Sequence, residues 1–213
     1  MKSLFVLIFT TVILVSKSNA GIIFETGTGP FDSTTCCGSS INKNQFLGTT
    51  FSLAEKTNID GIGGHFRNFD TSFGSVFGAI VSLNQSGLPD GAMSSLDNVL
   101  AYTTFSPLNS VDTLASIDVN LDAGLYGLVF GSGLFGTSGS STLTLLQPYQ
   151  VSNPDGDIIA ISSSRPNWRD SDTNPGRYRM FVSGTPVEVS VPSSLSLFLA
   201  SFSLIFLARR KYA

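Results

Sequence analysis

Histidine and tryptophan each occur once in these 213 residues, and the glutamates number three, Glu25, Glu55 and Glu188. A glycosidase built on paired carboxylates must then rely on aspartate, because no glutamate lies near Trp168. There is no G-x-S-x-G elbow for a serine hydrolase. The only two cysteines are adjacent, Cys36 and Cys37, so no second pair exists to complete a four-cysteine zinc site. Charged residues make up 13% of the chain, against about 25% in an average soluble protein, which argues against a coiled coil or a charged disordered chain. Before the carboxyl-terminal tail, no stretch of twelve residues carries a helical stripe.

What is abundant is glycine (21) and phenylalanine (17). The net charge of −3 conceals a segregation, because five of the twelve basic residues lie at the two ends. Residues 21–208 hold 7 basic and 15 acidic side chains, a net charge of −8. Such a middle repels phosphate backbones, so no nucleic-acid partner is expected.

Residues 1–20 read as a secretory signal peptide. Lys2 precedes the uncharged apolar run 4–15 (LFVLIFTTVILV), and Ser18-Asn19-Ala20 offers small residues at both recognition positions of a cleavage site. Cleavage between Ala20 and Gly21 leaves Gly21 as the mature terminus. Twelve helical residues reach about 18 Å, short of a 30 Å hydrocarbon core, so an amino-terminal anchor is the poorer reading.

Residues 189–213 form a second apolar segment. Positions 189–208 carry no charge and run into Arg209-Arg210-Lys211. Twenty helical residues match a bilayer core, Pro192 fits a first helical turn, and the three cations stay on the cytoplasmic side. The rival is a core strand or helix ending the domain. The expected protein is therefore exported and membrane-anchored, its ectodomain outside the cytoplasm, at the cell surface or extracellular after processing.

The arrangement Val191-Pro192-Ser193-Ser194-Leu195, an apolar helix to Ala208 and then Arg209-Arg210-Lys211 resembles the PEP-CTERM sorting tail of exosortase-processed bacterial surface proteins. Where that family has Pro-Glu-Pro, this chain has Ser190-Val191-Pro192. The resemblance implies a membrane partner, a sorting or processing protease, and a role in the extracellular matrix. A sortase signal is missing from residues 183–194, and the three terminal cations argue against a GPI signal.

Between the ends, short runs rich in Val, Ile, Phe, Thr and Tyr are bounded by Gly, Asn, Asp, Ser or Pro. They predict strands over 45–51, 58–66, 75–83, 99–105, 114–120, 124–130, 142–146, 157–162, 177–183 and 188–191. About ten strands in one domain imply an all-β, two-sheet β-sandwich, jelly-roll-like, over residues 45–188, preceded by a Gly/Ser/Thr-rich segment over 21–44. Asp60-Gly61-Ile62-Gly63-Gly64-His65-Phe66, Gly78-Ala79-Ile80-Val81-Ser82-Leu83 and Gly87-Leu88-Pro89-Asp90 resemble the choice-of-anchor domains that accompany interchangeable sorting tails. That resemblance brings no catalytic residues with it.

Cys36 and Cys37 stay open as unpaired or capped thiols, a vicinal bridge strained by a Cα separation of about 3.8 Å, an intermolecular bond or a metal site. His65, after Gly63-Gly64, reads as a sheet-edge or turn residue; an extracellular hydrolase would need it beside Ser and Asp. Asp170-x-Asp172-x-Asn174 has the oxygen spacing of a calcium loop, but Pro175 and Phe181 exclude an EF-hand. A looser calcium site there competes with a plain polar turn. Trp168, with Arg169 and Asp170, is the candidate for stacking on an extracellular polysaccharide, against a tryptophan that closes the core. The expected function is a non-catalytic surface protein without a cofactor; the alternative is a lectin-like carbohydrate-binding module, calcium-dependent if the aspartate loop takes a metal.

Overall fold

The structure, a computed structural model, describes residues 21–28, 38–68, 74–145, 156–172 and 178–187. Among them there are fourteen strands and no helix, hence none long and apolar enough to cross a membrane. In chain order the strands are β1 (Gly21–Glu25), β2 (Gly38–Ile41), β3 (Gln45–Leu53), β4 (Thr57–Arg67), β5 (Val76–Ser82), β6 (Gly91–Ala92) and β7 (Ser95–Leu96). They continue with β8 (Val99–Phe105), β9 (Val111–Leu121), β10 (Gly124–Gly131), β11 (Ser141–Thr144), β12 (Ile158–Ser162), β13 (Arg165–Asp172) and β14 (Met180–Pro186).

Two antiparallel sheets form the body. One runs β1-β14-β4-β11-β2 with β9 on the opposite side of β4, the other runs β13-β12-β3-β10-β5-β8, and β6 and β7 make a small hairpin. Between the sheets, Phe24, Ile59, Ile62, Phe66, Leu143, Met180 and Val182 of the first meet Leu47, Phe51, Ile80, Leu128, Phe130 and Ile158 of the second in one buried cluster. Strand β9 shows why: Thr113, Ala115 and Ile117 are buried while Asp112, Leu114, Ser116 and Asp118 are exposed, the period-2 alternation of a half-buried strand.

The second sheet is covered on both faces. On β12, Ile158 and Ala160 face the first sheet, whereas Ile159 and Ile161 join Phe46, Phe77, Val81, Val129 and Trp168 in a second cluster. Met93 and Leu96 of the β6–β7 hairpin, with Leu134 and Phe135 of the loop after β10, close over it. Hence the unbroken apolar run of β12 where β9 alternates.

Strands also form in two stretches where none is expected from the sequence. The amino-terminal segment is not merely an approach to the domain: β1 pairs with β14 and β2 pairs with β11, and Phe24 and Ile41 are core residues. Residues 165–172, not expected as a strand, form the edge strand β13 paired with β12, and the Asp170-x-Asp172-x-Asn174 motif runs from its end out of the described residues. An edge tolerates Pro166 and many polar side chains because one side of its backbone needs no ladder partner. The expected strand over 188–191 lies outside the described residues.

Candidate functional site

Among the described residues, an array of linked ionisable side chains lies on the outer face of the first sheet. His65 on β4 and Asp112 on β9 are direct cross-strand partners. The imidazole Nδ1–H donates to Asp112 Oδ1 at 2.9 Å, since a carboxylate oxygen can only accept. Arg179, immediately before β14, places Nε 3.0 Å from Asp112 Oδ2 and Nη1 2.8 Å from Glu25 Oε2, while Nη1 also donates to Gly27 O at 3.2 Å. Glu25, Arg179, His65 and Asp112 thus span four neighbouring strands, β1, β14, β4 and β9.

Local sequence makes this crossing possible. The backbone N–H of His65 donates to Arg179 O at 3.0 Å, which fixes the two residues side by side. At Gly63 a Cβ would sit 2.2 Å from Thr113 O and 2.5 Å from the Phe181 ring, so only glycine lets that ring lie against the sheet. Arg179 in turn lies 5.4 Å over the Phe181 ring, within cation–π range.

His65 is 7% exposed. Burial pushes its pKa below the ordinary 6.5; the hydrogen bond and charge of Asp112 raise it and the Arg179 guanidinium lowers it, with burial the largest effect. The imidazole is therefore neutral at pH 7. Neutral imidazole, one guanidinium and two carboxylates carry a net charge of −1, and the guanidinium sits between the carboxylates. The arrangement pins strands together: each acid is engaged by Arg179, and the histidine's partner is shared with that same cation. Among the described residues no group of three or more His, Cys, Asp or Glu side chains is placed to hold a metal ion.

The residues singled out from the sequence fall elsewhere. Trp168, Arg169 and Asp170 stand on β13, at the edge of the second sheet, and are not joined to the His65 array. Trp168 is 8% exposed and packed with Phe46, Ile159 and Ile161, so its indole offers no open face for stacking a sugar. Asp170 is exposed, and Asp172 ends the strand. Gly21 opens β1 opposite Gly184. Ala20, Cys36, Cys37, Asn174, Pro192, Arg209, Arg210 and Lys211 lie outside the described residues.

Asp112, Arg179 and Glu25 were not singled out from the sequence. They are separated from His65 by long stretches of chain and meet it only through sheet register, for which strand alternation is the sole sequence signal. Comparison with protein-family models finds no match to the chain, and comparison with curated proteins finds none either.

Proposed function

We propose that this chain is an exported, membrane-tethered surface protein: a non-catalytic β-sandwich of jelly-roll-like connectivity, delivered by residues 1–20 and held by a PEP-CTERM-like tail over 189–213. The observation that carries the reading is the uncharged 189–208 stretch ending in Arg209-Arg210-Lys211, at the end of a chain that begins with a signal-like segment. Each cation costs about 2.5–3.5 kcal/mol at a bilayer centre, which makes the basic end resist translocation.

The fold supports the reading in two ways. β14, the last described strand, ends at Pro186 and is paired with β1 over 181–184 on one side and with β4 along its length on the other, which leaves it little free backbone for the tail to pair with. The single histidine is engaged in a structural ladder rather than poised beside an open cleft. The domain is then a choice-of-anchor-like module whose place is the cell surface or extracellular matrix, and whose enzyme partner is the protease that processes the tail.

Cell fractionation tests this. Full-length protein should sediment with membranes, and a chain truncated before Val189 should appear in the medium, folded. Replacing Arg209, Arg210 and Lys211 by serine should weaken retention without changing the ectodomain's melting temperature. A truncated chain that aggregates or loses its β signature would make the segment part of the core and remove the tether.

A further inference from the structure

We propose that the cleft between β8 and β9 is a binding site for a neutral polysaccharide, with Tyr102, backed by Phe135, as its aromatic platform and Asp118 as its polar wall. The cleft has a volume of about 450 Å³, and Leu100, Tyr102, Ile117, Asp118 and Phe135 are among its lining. That size falls within the range of small-ligand sites.

Three observations point the same way. Tyr102, 53% exposed, is stacked on Phe135 with ring centroids 4.1 Å apart and planes 16° from parallel. Phe135 itself is held at φ 53°, a left-handed conformation that bulky residues avoid at a cost of about 1–3 kcal/mol. Gly133 and Gly136, both at positive φ, flank it in a loop closed by Thr137 N–H to Leu134 O at 3.0 Å and Gly133 N–H to Thr137 O at 3.1 Å. The loop thus holds the partly buried Phe135 ring near-perpendicular to Phe77, with centroids 5.2 Å apart, and stacked on Tyr102, so that it covers the second cluster and sets the exposed Tyr102 ring in place.

Strand β9 supplies the hydrogen-bonding partner. Asp118 Oδ1 accepts from Asn58 Nδ2 at 3.0 Å, and the same amide reaches Asn120 Oδ1 at 3.5 Å, so the carboxylate is oriented rather than free to swing. An exposed ring and a fixed acceptor lining one cleft match a pyranose, whose C–H face is apolar and whose rim is hydroxyl. Among the described residues that line the cleft, Asp118 is the only charged one, which disfavours uronic acids, sulfated sugars and phosphates. β8 is also the last strand of its sheet, and an extended peptide adding a strand there is the competing occupant.

The site is independent of the tether: fractionation reads location, and the following titration reads the cleft. Full-length protein in detergent micelles is titrated calorimetrically with cellohexaose, mannohexaose and hexagalacturonate, and with an extended Val/Thr-rich octapeptide. We expect saturable heat with at least one neutral hexasaccharide at about 1 mM and none with hexagalacturonate. Tyr102→Ala and Asp118→Asn should each weaken binding about tenfold or more, whereas Tyr102→Phe, which keeps the ring face, should stay within about threefold of wild type. Melting temperatures of Tyr102→Ala and Asp118→Asn equal to that of wild type separate lost binding from lost fold. Absence of heat with both neutral sugars, binding indifferent to Tyr102→Ala, or binding of the octapeptide alone would each overturn the assignment.

Discussion

His65 and Asp112 stand opposite each other across the β4–β9 ladder, joined by a 2.9 Å hydrogen bond from imidazole Nδ1 to carboxylate Oδ1, while the other oxygen of that carboxylate faces Arg179. An acid shared between a neutral ring and a guanidinium holds β9 to β14 across the intervening β4. The groups around the ring have opposed effects, and burial outweighs the acid.

A pH dependence follows. In the unfolded chain His65 titrates near 6.5, and in the fold its pKa is lower. The unfolded state then binds more protons between the two values, so stability rises with pH through that window. The contribution is complete above about pH 6.5 and is lost as the pH falls toward the folded value. Urea unfolding of wild type between pH 7 and 5 should show falling stability, and His65→Gln should flatten that slope. Stability increasing on acidification would mean instead that Asp112 holds the ring charged.

Gly48 lies at the centre of the second sheet, paired with Val129 of β10 on one side and Ile159 of β12 on the other. A Cβ there would come 2.1 Å from Leu128 O, a backbone atom held by its own ladder. Gly48→Ala should therefore cost about 3 kcal/mol or more, at or beyond the usual range for overpacking. Gly124→Ala, whose nearest contact would be Tyr126 OH at 3.4 Å, should stay within about 0.5 kcal/mol. Parallel denaturant curves of the two variants check the contrast.

Trp168 separates two roles by stability alone. Because it is packed among Phe46, Ile159 and Ile161, Trp168→Ala should cost about 3–5 kcal/mol. A surface platform for a ligand would change stability by no more than about 0.5 kcal/mol. Thermal unfolding of this single variant distinguishes them.

What the sequence made legible follows from burial pattern. Nine of the ten expected strands fall on observed ones, and the run over 99–105 matches β8 end to end, because Val, Tyr, Thr and Phe in a bounded segment are characteristic of a strand. The strand expected over 142–146 is shorter, ending at Thr144, with Leu145 making an isolated bridge to Tyr178. Two of the missed strands owe their character to their neighbours. β2 (GSSI) has one apolar residue, Ile41, and β13 (RPNWRDSD) is polar because it is an edge. The candidate site was legible only as an isolated histidine. Asp112 and Arg179 reach it through register between distant strands, and Tyr102 meets Phe135 through a loop conformation that no local pattern announces.

The amino-terminal strand provides the last test. β1 begins at Gly21, the residue expected to follow signal cleavage, and pairs through Gly21↔Gly184, Ile22↔Ser183, Phe24↔Val182 and Glu25↔Phe181. Phe24 is 3% exposed, with its ring centroid 5.7 Å from that of Phe51, so β1 contributes to the core as well as to the ladder. Glu25 also supplies the outer carboxylate for Arg179. Amino-terminal sequencing of exported protein should therefore return Gly21-Ile22-Ile23-Phe24, a start that keeps all of β1. Phe24→Ala should cost about 3–5 kcal/mol, or roughly 6–20 °C in melting temperature at about 2–4 °C per kcal/mol. Removing residues 21–25 from an otherwise intact mature chain should cost more, because β14 would lose its outer partner strand along with the Phe24 ring and the Glu25–Arg179 ion pair. If that deletion melts like wild type, β1 is an accessory strand and the domain begins at β2.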